Sequence, residues 1–206
     1  MRLLVLDMDQ TFYNPQAPFR AVMAELRAAG FAQERVEATL AIANERGYSF
    51  EVHLELLGVP RVAAEVYVRK WRKNYQDGRR FLLPGVESAI LALPRSVRVM
   101  LVTFGDERFQ RQKWDGLPGA FRARFAATHF VLELKGPTLA RIAAEAHADE
   151  EIIFADDSPS HLLSTRQHAP RVRCVRMMWP QFGLKAHEGD GVEWPVVTTI
   201  DELVRL

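Results

Sequence analysis

The first apolar run of the chain, Leu3–Leu4–Val5–Leu6, leads directly into Asp7, Met8, Asp9, Gln10 and Thr11. A short continuous apolar run predicts a strand buried on both faces. Carboxylates at its end add nothing to that burial. The rise of a strand puts Asp7 and Asp9 about 6–7 Å apart on one side of the chain. Two acids so placed can attack, transfer protons or hold a hard cation.

Three later segments end in the same way. RVMLVT closes on Thr103, THFVLEL is followed by Lys135 in LKGPTL, and EIIFADDS delivers Asp156 and Asp157. Each alone has a plain structural reading: an Asx-turn, a strand threonine, a solvated lysine, or a helix cap with Ser158 as N-cap and Pro159 at the first position. In open parallel sheets, however, ligands bind beyond the carboxyl ends of the strands. Convergence there would gather up to four negative charges. Two like charges 4 Å apart cost roughly 4 kcal/mol at an effective dielectric of 20, so compensation is required. Lys135 supplies one positive charge and an oxygen-coordinated Mg²⁺ would supply two. Carboxylates without a cysteine or histidine cluster favour magnesium over zinc, with a metal-bound phosphate as the fitting partner.

The elements needed to position these groups are legible around them. Asn14-Pro15 and Pro18 mark a loop, after which apolar residues keep helical spacing from Phe19 to Asp77. FRAVMAELRAAG, ERVEATLAIANERG and SFEVHLELLG each end at a glycine stop, and Pro60 opens a fourth helix. From Phe81 onward strands and helices alternate, with ERFQRQKW and PTLARIAAEAH as helices and a loop through Gly116, Pro118 and Gly119. VRCVRMM is a further strand, and PVVTTIDELVRL a last strand and terminal helix. The alternation predicts an α/β fold, a Rossmann-like parallel sheet with right-handed crossovers, interrupted after its first strand by a helical insertion. The expected division is a core of residues 1–14 and 81–206 and a helical block of residues 15–80.

With 27 basic and 26 acidic residues, bulk charge does not drive the chain toward nucleic acid or membrane. The single cysteine, Cys174, excludes an intrachain disulfide and sits in a strand pattern as a buried filler. No apolar run approaches the roughly 18 residues that cross a bilayer. The chain opens straight into a strand with no room for a signal peptide, and a cytoplasmic location is expected. His53, His129, His147, His168 and His187 lack metal-ligand spacing and are read as structural or surface residues. PQFGLKAHEGDG is expected to be a loop long enough to border the site.

The four motifs, DMDQT, the threonine of LVTFG, the lysine of LKGPTL and FADDS, stand in the order found in the haloacid dehalogenase superfamily. The chain resembles its phosphatase branch, with a helical cap of the C1 type inserted after the first strand. The resemblance implies Asp7 as nucleophile, forming an aspartyl-phosphate, and Asp9 as the acid and then the base. Mg²⁺ would bind the Asp7 carboxylate, the Asp9 backbone carbonyl and Asp157 directly, with Asp156 acting through water or orienting its neighbour. Thr103 would donate to a phosphoryl oxygen and Lys135 would offset charge. Dehalogenases of the superfamily lack an acid two residues beyond the nucleophile, so Asp9 speaks for phosphoryl transfer. Gln10 stands where relatives usually carry glycine, and is expected to alter the turn or reach the substrate. His161 stands where many carry a second acid, a role that the adjacent Asp156 would take.

The function implied is a Mg²⁺-dependent phosphomonoester hydrolase acting on a small phosphorylated metabolite. A phosphomutase with the same nucleophile and a phospho-ligand- or partner-binding protein with little turnover are the alternatives. Six Lys/Arg between Arg69 and Arg80, with Trp71 and Tyr75 among them, are expected to form a solvated basic face with the rings turned inward. An oligonucleotide surface is the weaker reading of that stretch. Arg79 and Arg80, beside the hinge, are candidates to reach a second anionic group.

Overall fold

The N-terminal apolar run forms β1 (Arg2–Leu6), an interior strand of a six-stranded parallel sheet. The structure is a computed structural model that describes residues 1–182 and 193–206. The other strands are β2 (Val97–Phe104), β3 (Phe125–Val131), β4 (Glu151–Asp156), β5 (Arg173–Met177) and β6 (Val196–Val197), in the spatial order β3-β2-β1-β4-β5-β6. Alternation along β1 feeds two cores. Leu4 and Leu6 pack on one face with Val99, Leu101, Ile153 and Val175, while Leu3 and Val5 pack on the other with Val102, Ile152 and Phe154. Both faces are buried, which is why the strand carries no polar alternation.

Between β1 and β2 the chain builds α1 (Gln16–Ala28), α2 (Gln33–Glu45), α3 (Phe50–Leu56) and α4 (Arg61–Asn74), then α5 (Val86–Ala92). The three glycines read as helix stops, Gly30, Gly47 and Gly58, all adopt positive φ. Helices α1 to α4 enclose a core of their own, with Val22, Leu26, Phe50, Leu54 and Trp71 buried together. The chain leaves and re-enters the sheet region along paired segments. Asn14 N–H donates to the Phe81 carbonyl at 2.8 Å, and Leu83 N–H donates to that of Phe12 at 2.9 Å. The remaining helices are α6 (Glu107–Asp115), α7 (Gly119–Arg122), α8 (Gly136–Glu145), α9 (Pro159–His168) and α10 (Ile200–Arg205). Phe109 of α6 enters the core of the helical block and meets the Phe50 ring edge-on at 4.9 Å.

Two local readings are revised. The third strand spans Phe125–Val131 rather than THFVLEL, because its register on β2 ends at the Phe104–Val131 pair, and Leu132 and Leu134 then turn out to solvent. The Gly116–Gly119 loop runs into a one-turn helix, α7, which drives Phe121 fully into the core. Of the PQFGLKAHEGDG stretch, Pro180–Phe182 forms a 3-10 turn; its remainder, with His187, lies outside the described residues. No helix among the described residues is long and apolar enough to cross a membrane.

The basic stretch is arranged as a solvated face. Trp71 is fully buried and its Nε1 donates to Glu25 at 2.9 Å, and Tyr75 is buried beside it. Lys70 pairs with Glu25 at 3.1 Å, Arg72 with Glu51 at 2.6 Å and Arg79 with Glu87 at 2.7 Å. Where this stretch ends, Gly78 N–H donates to the Gly116 carbonyl at 2.8 Å, and a Cβ on Gly116 would collide with the Tyr75 carbonyl. Replacing Gly116 by alanine is therefore expected to destabilise the protein by about 1–3 kcal/mol, as overpacking does. Thermal melting checks this, at about 2–4 °C per kcal/mol for a chain of this size; an unchanged midpoint would show that the two segments part at no cost.

Candidate active site

Parallel register brings the acids together. Leu6 pairs with Leu101 on β2 and with Ala155 on β4, so Asp7 and Asp156 leave adjoining strands at one level. Asp7 N–H still donates to the Ala155 carbonyl at 2.9 Å, which holds the strand end in place. Thr103 lies two residues past Leu101, fully buried, and its hydroxyl has no hydrogen-bond partner among the described residues. Lys135 enters from the turn between β3 and α8. Its Nζ donates to Asp7 Oδ1 at 2.5 Å and to Asp156 Oδ2 at 2.6 Å, and the residue is only 1% exposed. Asp156 Oδ1 accepts from Ser158 N–H at 2.8 Å, so both its oxygens are engaged within the protein.

Two buried carboxylates share one ammonium, and the pKa of each is raised. Burial pushes the Asp7 carboxyl up to about 7; Lys135 pulls it back, and Asp156 and Asp9 raise it further. Burial likewise raises Asp156 to about 6, against the pull of Lys135. For Lys135, burial disfavours the ammonium, but Asp156 and Asp7 outweigh it and hold its pKa above the ordinary lysine value.

After Asp7 the chain turns sharply, with Phe12 and Tyr13 N–H both donating to the Met8 carbonyl. Gln10 takes φ 59°, the left-handed conformation that glycine adopts freely and that costs other residues roughly 1–2 kcal/mol. The turn thus keeps the conformation for which glycine is suited. The side chain of Gln10 is spent within the site, donating from Nε2 to Asp157 Oδ2 at 2.8 Å. Asp157 is half-buried, and with Asp7 and Asp156 it offers carboxylate oxygens that all lie within 4.8 Å of one another. The three acids offer hard oxygen donors close together, a set that fits a divalent cation such as Mg²⁺.

Asp9 faces the same space from the turn, and its partners come from α6, a helix expected from the sequence but with no site role assigned to it. Gln110 Nε2 donates to Asp9 Oδ2 at 3.2 Å and to the Phe104 carbonyl at 2.6 Å. The ammonium of Lys113, buried against the Phe109 ring, also binds Asp9 Oδ2, while Asp9 Oδ1 is buried with no partner among the described residues. A signal existed. Phe109, Gln110, Lys113 and Trp114 fall on one helical face of α6, so a lysine on the inward stripe implied a buried anion to meet it.

These groups open into a cavity of about 850 Å³ between the sheet edge and the helical block. Asp7, Asp9, Lys135, Asp156, Asp157 and Lys113 all border it, as does His161. Arg79 and Arg80 do not. Arg79 is paired with Glu87, while Arg80 donates to the Asn74 carbonyl and covers the Phe81 ring, so neither is placed to reach a second anionic group. His53 is a packed residue of the helical block, against the Val36 carbonyl, and burial lowers its pKa. Cys174 is buried within the sheet.

No protein-family model matches the chain, and no curated protein does. Solved structures do. A protein of Burkholderia xenovorans described as a haloacid dehalogenase-like hydrolase superposes with a TM-score of 0.75 at 18% identity, over 99% of this chain and 97% of that one. A HAD-hydrolase of Bacillus subtilis, YfnB, solved with magnesium bound, gives 0.63 at 15% identity, over 99% and 97%. CbbY of Rhodobacter sphaeroides, solved with xylulose-1,5-bisphosphate, gives 0.62 at 16%, over 98% and 96%. The chain therefore has the haloacid dehalogenase-like fold, an α/β architecture on a six-stranded parallel sheet.

An acid whose pKa rises on folding binds protons more tightly in the folded state, so stability falls as pH climbs from its unfolded to its folded value. For Asp7 that window runs from 3.8 to about 7. The metal-free protein is therefore expected to lose stability across it, and Asp7→Asn to gain about 1–2 kcal/mol over wild type at pH 8. Melting in chelator at pH 5 and pH 8 checks both. A variant less stable than wild type at pH 8 would mean that the Lys135 pairing outweighs the burial of charge.

Proposed function

We propose that this chain is a Mg²⁺-dependent phosphomonoester hydrolase acting through an aspartyl-phosphate, with residues 15–80 serving as a cap. The observation that carries it is the single Lys135 ammonium shared by two buried carboxylates, Asp7 and Asp156, at the floor of the cavity. That floor is negative without a cation and suited to a phosphate with one. A bound Mg²⁺ would be held by Asp7, Asp157 and the Asp9 carbonyl, and would supply charge neutralisation for the phosphoryl oxygens. Asp156, fully engaged by Lys135 and Ser158, orients the pair.

In the first step Asp7 forms a bond to phosphorus as the ester P–O bond breaks, and Asp9 gives its proton to the departing alkoxide. In the second, Asp9 takes a proton from water, whose oxygen attacks phosphorus and frees Asp7 and inorganic phosphate. Lys113 and Gln110 both bind Asp9 Oδ2 and so fix the orientation of the carboxyl for this exchange. Thr103 would donate to a phosphoryl oxygen; its hydroxyl is buried, has no partner among the described residues, and is not part of the cavity lining. A mutase must also hold a second phosphate. Among the described lining residues the cations are Lys113 and Lys135, both already on carboxylates, which favours hydrolysis.

Two outcomes are expected. Phosphate release from phosphomonoesters is lost on chelation, returns with Mg²⁺, and falls at least 10³-fold in Asp7→Asn. Undiminished release by a folded Asp7→Asn protein would overturn the assignment of the nucleophile. Lys113→Met is expected to lower kcat by roughly 10–100-fold, on the scale of general acid catalysis, with KM little changed. Steady-state kinetics checks this; a rise in KM at constant kcat would instead place Lys113 on the substrate.

A further inference from the structure

We infer that the leaving group accepted by this site is an uncharged alcohol bearing an aromatic ring, so that the substrate is a monophosphate ester of the nucleoside 5′-monophosphate type. The inference rests on the phosphatase reading above. Its first support is size. A cavity of about 850 Å³ lies toward the upper end for small-molecule sites and far exceeds the needs of a phosphate on two or three carbons.

The second is the wall facing the acids. Phe19 and Tyr48 are half-buried and line the cavity, with their ring centroids 5.4 Å apart and planes at 77°. Tyr48 in turn meets Phe109 at 5.1 Å and 67°. Rings fixed edge-to-face form a corner, against which a flat ring can stack on one member while meeting the edge of the next. Leu40, also half-buried, extends the apolar surface. Phe19 and Tyr48 have surface left to bury, whereas Trp71 and Tyr75 are already covered.

Charge is the third. Lys113 and Lys135 are the cations among the described lining residues, and both are committed to Asp9, Asp7 and Asp156. A carboxylate or second phosphate on the leaving group would enter a space rimmed by four carboxylates with no cation left to meet it. Neutral hydrogen-bonding groups are present instead. Gln16 and Asn44 stand at the wall, and the amide side chain of each can donate and accept.

The test compares kcat/KM, with Mg²⁺, for uridine and adenosine 5′-monophosphates, phosphoglycolate, fructose 1,6-bisphosphate and acetyl phosphate. The nucleoside monophosphates are expected to exceed phosphoglycolate and the bisphosphate by at least about tenfold. Phe19→Ala is expected to cut their advantage over acetyl phosphate about tenfold, the scale of one lost base-stacking contact, and Phe19→Trp to keep it. A preference for phosphoglycolate or the bisphosphate overturns the inference while leaving the phosphatase reading intact, as does an advantage unchanged by Phe19→Ala. No phosphate from any of the five, acetyl phosphate included, overturns the phosphatase reading and the inference with it.

Discussion

Lys135 bridges the ends of β1 and β4, and its ammonium is the charge, among the described residues, that pairs with both Asp7 and Asp156 where they are buried side by side. Charges taken from water cost several kcal/mol each unless they are paired, and here one cation serves two anions. Burial raises the pKa of both carboxyls even against the pull of Lys135. Nothing in the hydrophobic packing of the sheet requires this arrangement. It persists because Leu3–Leu6, buried on both faces, over-determine where the strand ends. On the proposed reading, such a floor would take a divalent cation and then the phosphate that the cation brings.

Around that floor the two parts of the chain supply different things. The sheet edge carries charge: Asp7, Asp156, Asp157 and Lys135, with Thr103 beside them. The helical block carries surface: Phe19, Leu40 and Tyr48 face the acids across the cavity. Helix α6 joins the two, sending Phe109 into the core of the block and Lys113 and Gln110 to Asp9. A single helix thus touches both the aromatic wall and Asp9.

Gln10 illustrates how a departure from an expected residue can leave geometry unchanged. Its backbone takes the left-handed conformation for which glycine is suited, at some cost, and its amide joins the acid cluster at Asp157. The side chain that the sequence offered to a substrate is thus engaged by the protein. The basic run from Arg69 to Arg80 was legible as a solvated face, since its helical spacing turns Trp71 and Tyr75 inward, whereas the partners of its arginines were not. Glu51 lies 21 residues from Arg72 and Glu87 eight from Arg79, beyond the spacing of one helix face, and packing brings them within reach.

What the sequence determined by itself was local: a strand wherever an apolar run is continuous, a helix stop wherever glycine follows a periodic run, and an acid, hydroxyl or amine at the strand ends. Those signals lie within a few residues of what they specify, which is why Asp7, Asp9, Thr103, Lys135, Asp156 and Asp157 could be named in advance. The third strand was misplaced by three residues because its end is set by pairing with β2 rather than by its own hydrophobicity. Tertiary structure alone decided that Lys135 bridges Asp7 and Asp156, that Lys113 and Gln110 converge on Asp9, and that an aromatic corner faces them. These contacts join residues up to 128 positions apart. Their geometry follows from strand register and helix packing, which no single segment contains.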